Sequence, residues 1–227
     1  MYTLHIANKN YSSWSLRPWI LLTELGIPFE EKLTPFAGSA NSEEFKKFSP
    51  NAKVPCLYDA ERAVWDSLAI CEYLAQFNDR VWPREIGART WARCVSAEMH
   101  SGFSTLRNIC AMSVGVRINL FERPSALLND VERLDEIFSE GLTRFGGPFL
   151  AGATFSAADA FFAPVAFRVR TFDLDLSKTG QAYCEKLLSL ESMKLWQSQA
   201  LSEIWRDSDH EREMSLVGEV IADYRKS

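Results

Sequence analysis

The chain has 227 residues, enough for one large or two small domains with a real core. Its 47% hydrophobic and 24% charged residues are the proportions of a soluble globular protein and argue against a disordered chain. A net charge of −5 supplies no basic surface for nucleic acid, and no apolar run approaches the ~20 residues of a membrane span, so neither partner is expected.

Tyr2 to Ala7 is a short strand pattern that runs into polar Asn8-Lys9-Asn10. The N-terminus enters this strand directly, without the basic region and apolar core of a leader. Ser12-Ser13-Trp14-Ser15 then precedes a helical run from Leu16 to Leu25, ended by Gly26. Pro18 is expected in the first turn, where its missing N–H would be unpaired anyway, with Trp14 or Ser15 as N-cap. Phe29 to Leu33 reads as a second strand and Ser42 to Phe48 as a short helix.

Lys53-Val54-Pro55-Cys56-Leu57 places a proline between strand-like runs, where it belongs at a strand start, an edge or a cis turn. A cis Val54-Pro55 bond turns the Val54 backbone away from the sheet, free to pair with an extended peptide-like ligand. Asp66-Ser67 opens an amphipathic helix, whose N–H groups and positive dipole end attract a carboxylate. One element reads backbone and the next reads carboxylate, so the pair can hold a small peptide.

The polar stretch around Pro83 interrupts two helical patterns and marks a boundary. Beyond it, apolar residues keep helical spacing over Ala88–Leu120, Ser125–Phe145, Ser156–Thr171, Gln181–Leu190 and Ser192–Ile204. Ser156-Ala157-Ala158-Asp159 is a capping-box variant with Asp in place of Glu or Gln. The charged segment from Asp207 to Ser227 is expected to extend over the second domain or to fray. Five widely spaced cysteines with no Cys-x-x-Cys and no ligand spacing predict reduced, buried thiols, a cytoplasmic protein and no metal site.

The order strand, helix, strand, helix, Pro-led strand, strand, helix is that of the thioredoxin-like fold, and it puts the Ser loop, Pro55 and Ser67 at one end of the sheet. It resembles the N-terminal domain of glutathione transferases. Ser12-Ser13-Trp14-Ser15-Leu16-Arg17 is most similar to the Ser-Ser-Cys-Ser signature of the zeta class, the maleylacetoacetate isomerases. Phe149-Leu150-Ala151-Gly152 through Asp159 is similar to that family's C-terminal domain.

The resemblance implies an α/β thioredoxin-like glutathione-binding domain over 1–78, a linker over 79–87 and an all-helical domain with the second-substrate pocket over 88–227. It implies a homodimer that uses glutathione, as substrate or cofactor, with a small electrophile. The family's catalytic serine maps onto Ser12, with Ser13 shaping the loop or sharing the task, and Tyr11 is a second hydroxyl. Lys53, Val54, Pro55, Asp66 and Ser67 complete the glutathione site. Trp14 stands where the zeta class has Cys, which narrows the site and weakens a thiol-exchange reading. Trp14 and Arg170 are assigned to the second-substrate pocket, Arg170 adjoining Thr171, which occupies the position of the zeta-class carboxylate-binding Arg. Arg17 is expected to brace the domain interface, and His100 to be a satisfied or solvent-facing helix histidine.

Three functions follow as expectations. The first is a glutathione transferase with a Ser-type thiol site. The second is a glutathione-dependent cis–trans isomerase of a maleylacetoacetate-type diacid. The third is a non-catalytic transferase-like binding domain.

Overall fold

The structure is a computed structural model that describes residues 1–38 and 41–226. Strand β1 (Tyr2–Ile6) leads into helix α1 (Ser13–Glu24), which returns the chain to β2 (Phe29–Leu33), paired parallel to β1. After the short α2 (Asn41–Lys46), β3 (Cys56–Asp59) pairs antiparallel with β1, and β4 (Arg62–Val64) adds to β3. The sheet order is β2-β1-β3-β4, and α3 (Ser67–Ala75) follows. The parallel pair needs a crossover and takes α1, whereas β3 and β4 need only a tight turn. This is the thioredoxin-like half.

Helix α1 starts earlier than its apolar pattern. Ser12 is the N-cap, and its carbonyl accepts the Leu16 N–H at 3.2 Å. The polar Ser13-Trp14-Ser15 therefore forms the first turn, and Pro18 falls in the second. Neither Trp14 nor Ser15 is the cap, because the Ser12 side chain takes the unpaired Ser15 N–H first.

The second half is built from α4 (Ile86–Ser101), α5 (Ser104–Ile109), α6 (Ser125–Phe145), α7 (Ala157–Phe172), α8 (Lys178–Leu188), α9 (Glu191–Ser202) and α10 (Ser208–Val217). Helix α7 is its axis, with every residue but Arg170 buried. Its Ser156–Asp159 capping box forms as the spacing predicts, and the Asp159 carboxylate also accepts the Leu150 N–H and the Tyr183 hydroxyl, each at 2.9 Å.

The helical pattern over Ala88–Leu120 does not give one helix. At the end of α4 a Cβ on Gly102 would meet the Glu98 carbonyl at 2.8 Å, and Phe103 takes a left-handed conformation at φ 57°. After α5 the chain extends into β5 (Val116–Leu120), which pairs antiparallel with β6 (Gly218–Asp223). Through residue 226 the C-terminal segment thus extends over the helical half, the first of the two expectations, rather than fraying. It adds a two-stranded ribbon to the helical half, with a partner a hundred residues away that helical periodicity could not reveal.

Candidate active site

The Ser loop, the segment before Pro55 and the inner ends of α5, α7 and α10 surround a cavity of about 540 Å³. Its walls include Ser12, Ser13 and Trp14 at the start of α1, and Lys53 and Val54 ahead of β3. From the helical half come Arg107, Met112, Arg168 and His210.

Val54-Pro55 is cis. The β3 ladder begins at His5↔Cys56, so Val54 lies just outside the paired residues, and among the described residues its backbone has no partner. Lys53 is exposed at the rim. Asp66 caps α3, with one oxygen accepting the Leu68 N–H at 3.0 Å and the other 3.3 Å from His100 Nε2. Ser67 is fully buried, and among the described residues its hydroxyl has no partner. Asp66 and Ser67 lie outside the walls of this cavity. The dipeptide is therefore a helix start separate from the cavity lining.

Ser12 and Ser13 differ in their bonding. Ser12 Oγ accepts the Ser15 N–H at 3.4 Å and donates to Ser15 Oγ at 2.7 Å. Ser13 Oγ accepts from Arg168 Nη2 at 3.1 Å. Arg168 is buried, and its other hydrogen bond goes to the Cys110 carbonyl. Burial, reinforced by repulsion from Arg107, lowers its pKa to about 10. The guanidinium still stays charged at neutral pH.

Trp14 lies between two cations, with Arg17 4.2 Å and Arg107 4.8 Å from its ring centre. Arg17 also stacks on Phe161 and is buried at the junction of the two halves, its pKa depressed by desolvation and then by Arg107 and Arg168. His100 packs edge-on against Trp14 at 5.3 Å, and burial lowers its pKa. It faces Asp66 rather than solvent, a contact that follows from the α3–α4 packing and carries no sequence signature.

Arg170 does not reach the cavity. It bonds Gln197 Oε1 at 3.0 Å and packs over Phe167, at the one half-buried position of α7. Thr171 is buried and donates to the Ser113 carbonyl at 2.7 Å. The cation on this wall is Arg168, about half a turn from Arg170, because α7 turns its 168 position towards Ser13. Tyr11 lines the cavity, but its hydroxyl donates to Glu211 and is held by Arg225 at 3.2 Å. Burial and Glu211 raise its pKa.

His210 is a wall residue that the motifs did not mark. Its Nδ1 lies 2.6 Å from the buried Asp207 carboxylate, and its ring packs on Tyr11 at 4.9 Å and Phe36 at 5.0 Å. An Asp with a His three residues on at the start of a charged helix is the only local signal. Four cysteines are buried and Cys94 is exposed. Among the described residues no cluster suited to a metal ion occurs, and no helix is long and apolar enough to cross a membrane.

The glutathione S-transferase N-terminal domain family matches residues 11–76, and the C-terminal domain family matches residues 119–196. Rat maleylacetoacetate isomerase is 30% identical over 195 residues, covering 82% of this chain and 88% of that protein. The glutathione S-transferase-like protein OpS6 of Beauveria bassiana is 27% identical over 168 residues, covering 71% of this chain and 76% of its own. Among solved structures, a Burkholderia glutathione transferase homolog with bound glutathione aligns with a TM-score of 0.64 at 20% identity, over 88% of this chain and 97% of that one. Drosophila melanogaster isozyme E7 aligns with a TM-score of 0.67 at 20% identity, over 88% and 92%. The chain belongs to the glutathione S-transferase family.

Proposed function

We propose that the protein is a glutathione-dependent enzyme, a transferase that activates the glutathione thiol at the Ser12–Ser13 loop for attack on a small electrophile. The observation that carries this reading is the grouping of the serine loop, the unpaired Val54 backbone and a start of α3 that holds a buried, unpartnered Ser67 hydroxyl. The Val54 backbone and the Ser67 hydroxyl lack a protein partner among the described residues, and a peptide with a backbone and an α-carboxylate supplies the partners. These residues fit glutathione.

When bound, glutathione supplies the nucleophilic sulfur. The chain contributes the rest. The Val54 backbone holds the cysteinyl part, the Ser67 N–H and hydroxyl take the γ-glutamyl carboxylate, Asp66 faces the amino group and Lys53 takes the glycyl carboxylate. A thiol with pKa about 8.5 needs a shift of roughly two units, about 2.7 kcal/mol, to react as thiolate near neutral pH. The dipole of α1 contributes about 0.3–1 kcal/mol and a hydrogen bond to a charged sulfur about 1.5–3 kcal/mol. Together they reach about 1.8–4 kcal/mol and can cover the shift, whereas the dipole alone does not.

The isomerase reading keeps the same glutathione site. Its support is the cationic wall of Arg107 and Arg168, which suits a substrate with carboxylates. The homodimer expected of the family accompanies both readings. Calorimetry with glutathione, followed by a panel of aromatic and aliphatic electrophiles and maleylacetone, tests them. Turnover of electrophiles supports the transferase, and turnover of maleylacetone alone supports the isomerase. Absence of glutathione binding leaves only the non-catalytic domain.

A further inference from the structure

We infer that Ser13, rather than Ser12, presents the hydroxyl that activates the thiol, and that Arg168 is the residue that positions and polarises it. This rests on the glutathione reading above and names the groups that carry it out.

A serine hydroxyl has one proton to donate and two lone pairs to accept with. Ser12 Oγ is engaged twice inside the protein: it accepts the Ser15 N–H as helix cap and shares a hydrogen bond with Ser15 Oγ at 2.7 Å. Ser15 Oγ is itself tied to the sheet by the Ala7 N–H at 3.3 Å. This is a structural chain that joins the start of α1 to the end of β1. Turning the Ser12 hydroxyl away to a ligand would weaken it.

Ser13 is set up in the opposite sense. Its oxygen accepts a charged N–H from Arg168 at 3.1 Å, which forces the hydroxyl to donate elsewhere. Among the described residues it has no acceptor, and the side chain lies on the cavity wall. An O–H whose oxygen already accepts from a cation is polarised and is a stronger donor. The same guanidinium lies one hydroxyl away from the sulfur position, where a positive charge favours the thiolate.

Among the described residues Arg168 has no carboxylate partner. Its hydrogen bonds run to two neutral groups, Ser13 Oγ and the Cys110 carbonyl, and among the described residues its Nε has none. A buried guanidinium without a counter-ion is costly. A thiolate held beside Ser13 supplies the missing negative charge. Tyr11, another hydroxyl of the cavity lining, already donates to Glu211.

The test is titration of the bound thiol in the full chain, read as the ultraviolet absorbance of the thiolate with glutathione saturating, alongside calorimetric binding and thermal unfolding. Ser13→Ala is expected to raise the thiol pKa by about one unit or more, a roughly tenfold loss of thiolate below the pKa, with glutathione affinity within a few-fold of wild type. Ser12→Ala is expected to lower the unfolding temperature through loss of the cap and to move the titration less than Ser13→Ala. Arg168→Met shifts the titration in the same direction as Ser13→Ala, Arg168→Lys restores part of the shift, and the double variant S13A/R168M shifts by less than the sum. A purely structural Arg168 would show neither rescue nor this coupling. A larger shift from Ser12→Ala, or no shift from Ser13→Ala, overturns the inference while leaving the glutathione reading intact. No binding of glutathione by the wild type overturns both. Where an Arg168 variant does not fold, the comparison of the two serine variants decides.

Discussion

The Glu203 carboxylate, at the end of α9, accepts the backbone N–H of Lys9 at 2.6 Å, joining positions 194 residues apart. Its second oxygen takes the Asn10 N–H at 3.2 Å. The Lys9 ammonium in turn bonds Glu31 at 2.6 Å and lies over the rings of Trp19 and Trp196. The polar turn ahead of the Ser loop is thus held by the helical half. Replacing the carboxylate by an amide leaves one of the two buried N–H groups facing an NH₂. Glu203→Gln should destabilise the fold by about 1–3 kcal/mol, measured as a shift of the urea midpoint at unchanged slope.

Ser67 separates ligand binding from stability. Its hydroxyl has no partner among the described residues, so Ser67→Ala should leave the unfolding midpoint close to wild type. Glutathione affinity should fall by about 1.5–3 kcal/mol, the scale of a hydrogen bond to a charged group. Unchanged affinity by calorimetry would make Asp66-Ser67 a helix cap and nothing more.

Asp159 gives the fold a pH dependence. Burial raises its pKa from 3.8 to about 6, against hydrogen bonds from Leu150, Ser156 and Tyr183 that favour the charged form. Between those two values the folded chain holds a proton that the unfolded chain has released. The contribution of Asp159 to stability therefore falls as pH rises from about 4 to about 6 and is level above that. Asp159→Asn removes the titration. The wild-type stability minus that of the variant should decline across this window, and a difference independent of pH would refute the assignment.

Tyr11 anchors the C-terminal segment. Its hydroxyl sits between Glu211 and Arg225, and Arg225 also bonds Asp223 at the end of β6. Tyr11→Phe removes one member of this cluster while Glu211 and Arg225 remain paired. The expected cost is about 1 kcal/mol, with faster amide exchange confined to α10 and β6. Exchange that rises equally throughout the helical half would mean the segment has no separate anchor.

Much of the fold was legible because its signals are local. Val54-Pro55 and Asp66-Ser67 announce a turn and a helix start through the chemistry of two or three adjacent residues. The Ser156–Asp159 box does the same for α7. Phe29–Leu33 has the strand limits that its pattern predicts. In these places the sequence signal lies within about five adjacent positions.

What required the tertiary structure lies where the partner is distant or the pattern has no phase. Strand β5 was hidden in a helical pattern because its ladder partner, β6, follows a hundred residues later. Helix α7 is apolar nearly all round, so no hydrophobic stripe could say whether Arg168 or Arg170 faces the cavity. Only packing against α1 turns Arg168 inward and leaves Arg170 at the edge. Composition and local motifs marked an α/β half and a helical half, the helix start at Ser67 and the serine loop. That Ser13 accepts from a guanidinium 155 residues away is a contact no local pattern encodes.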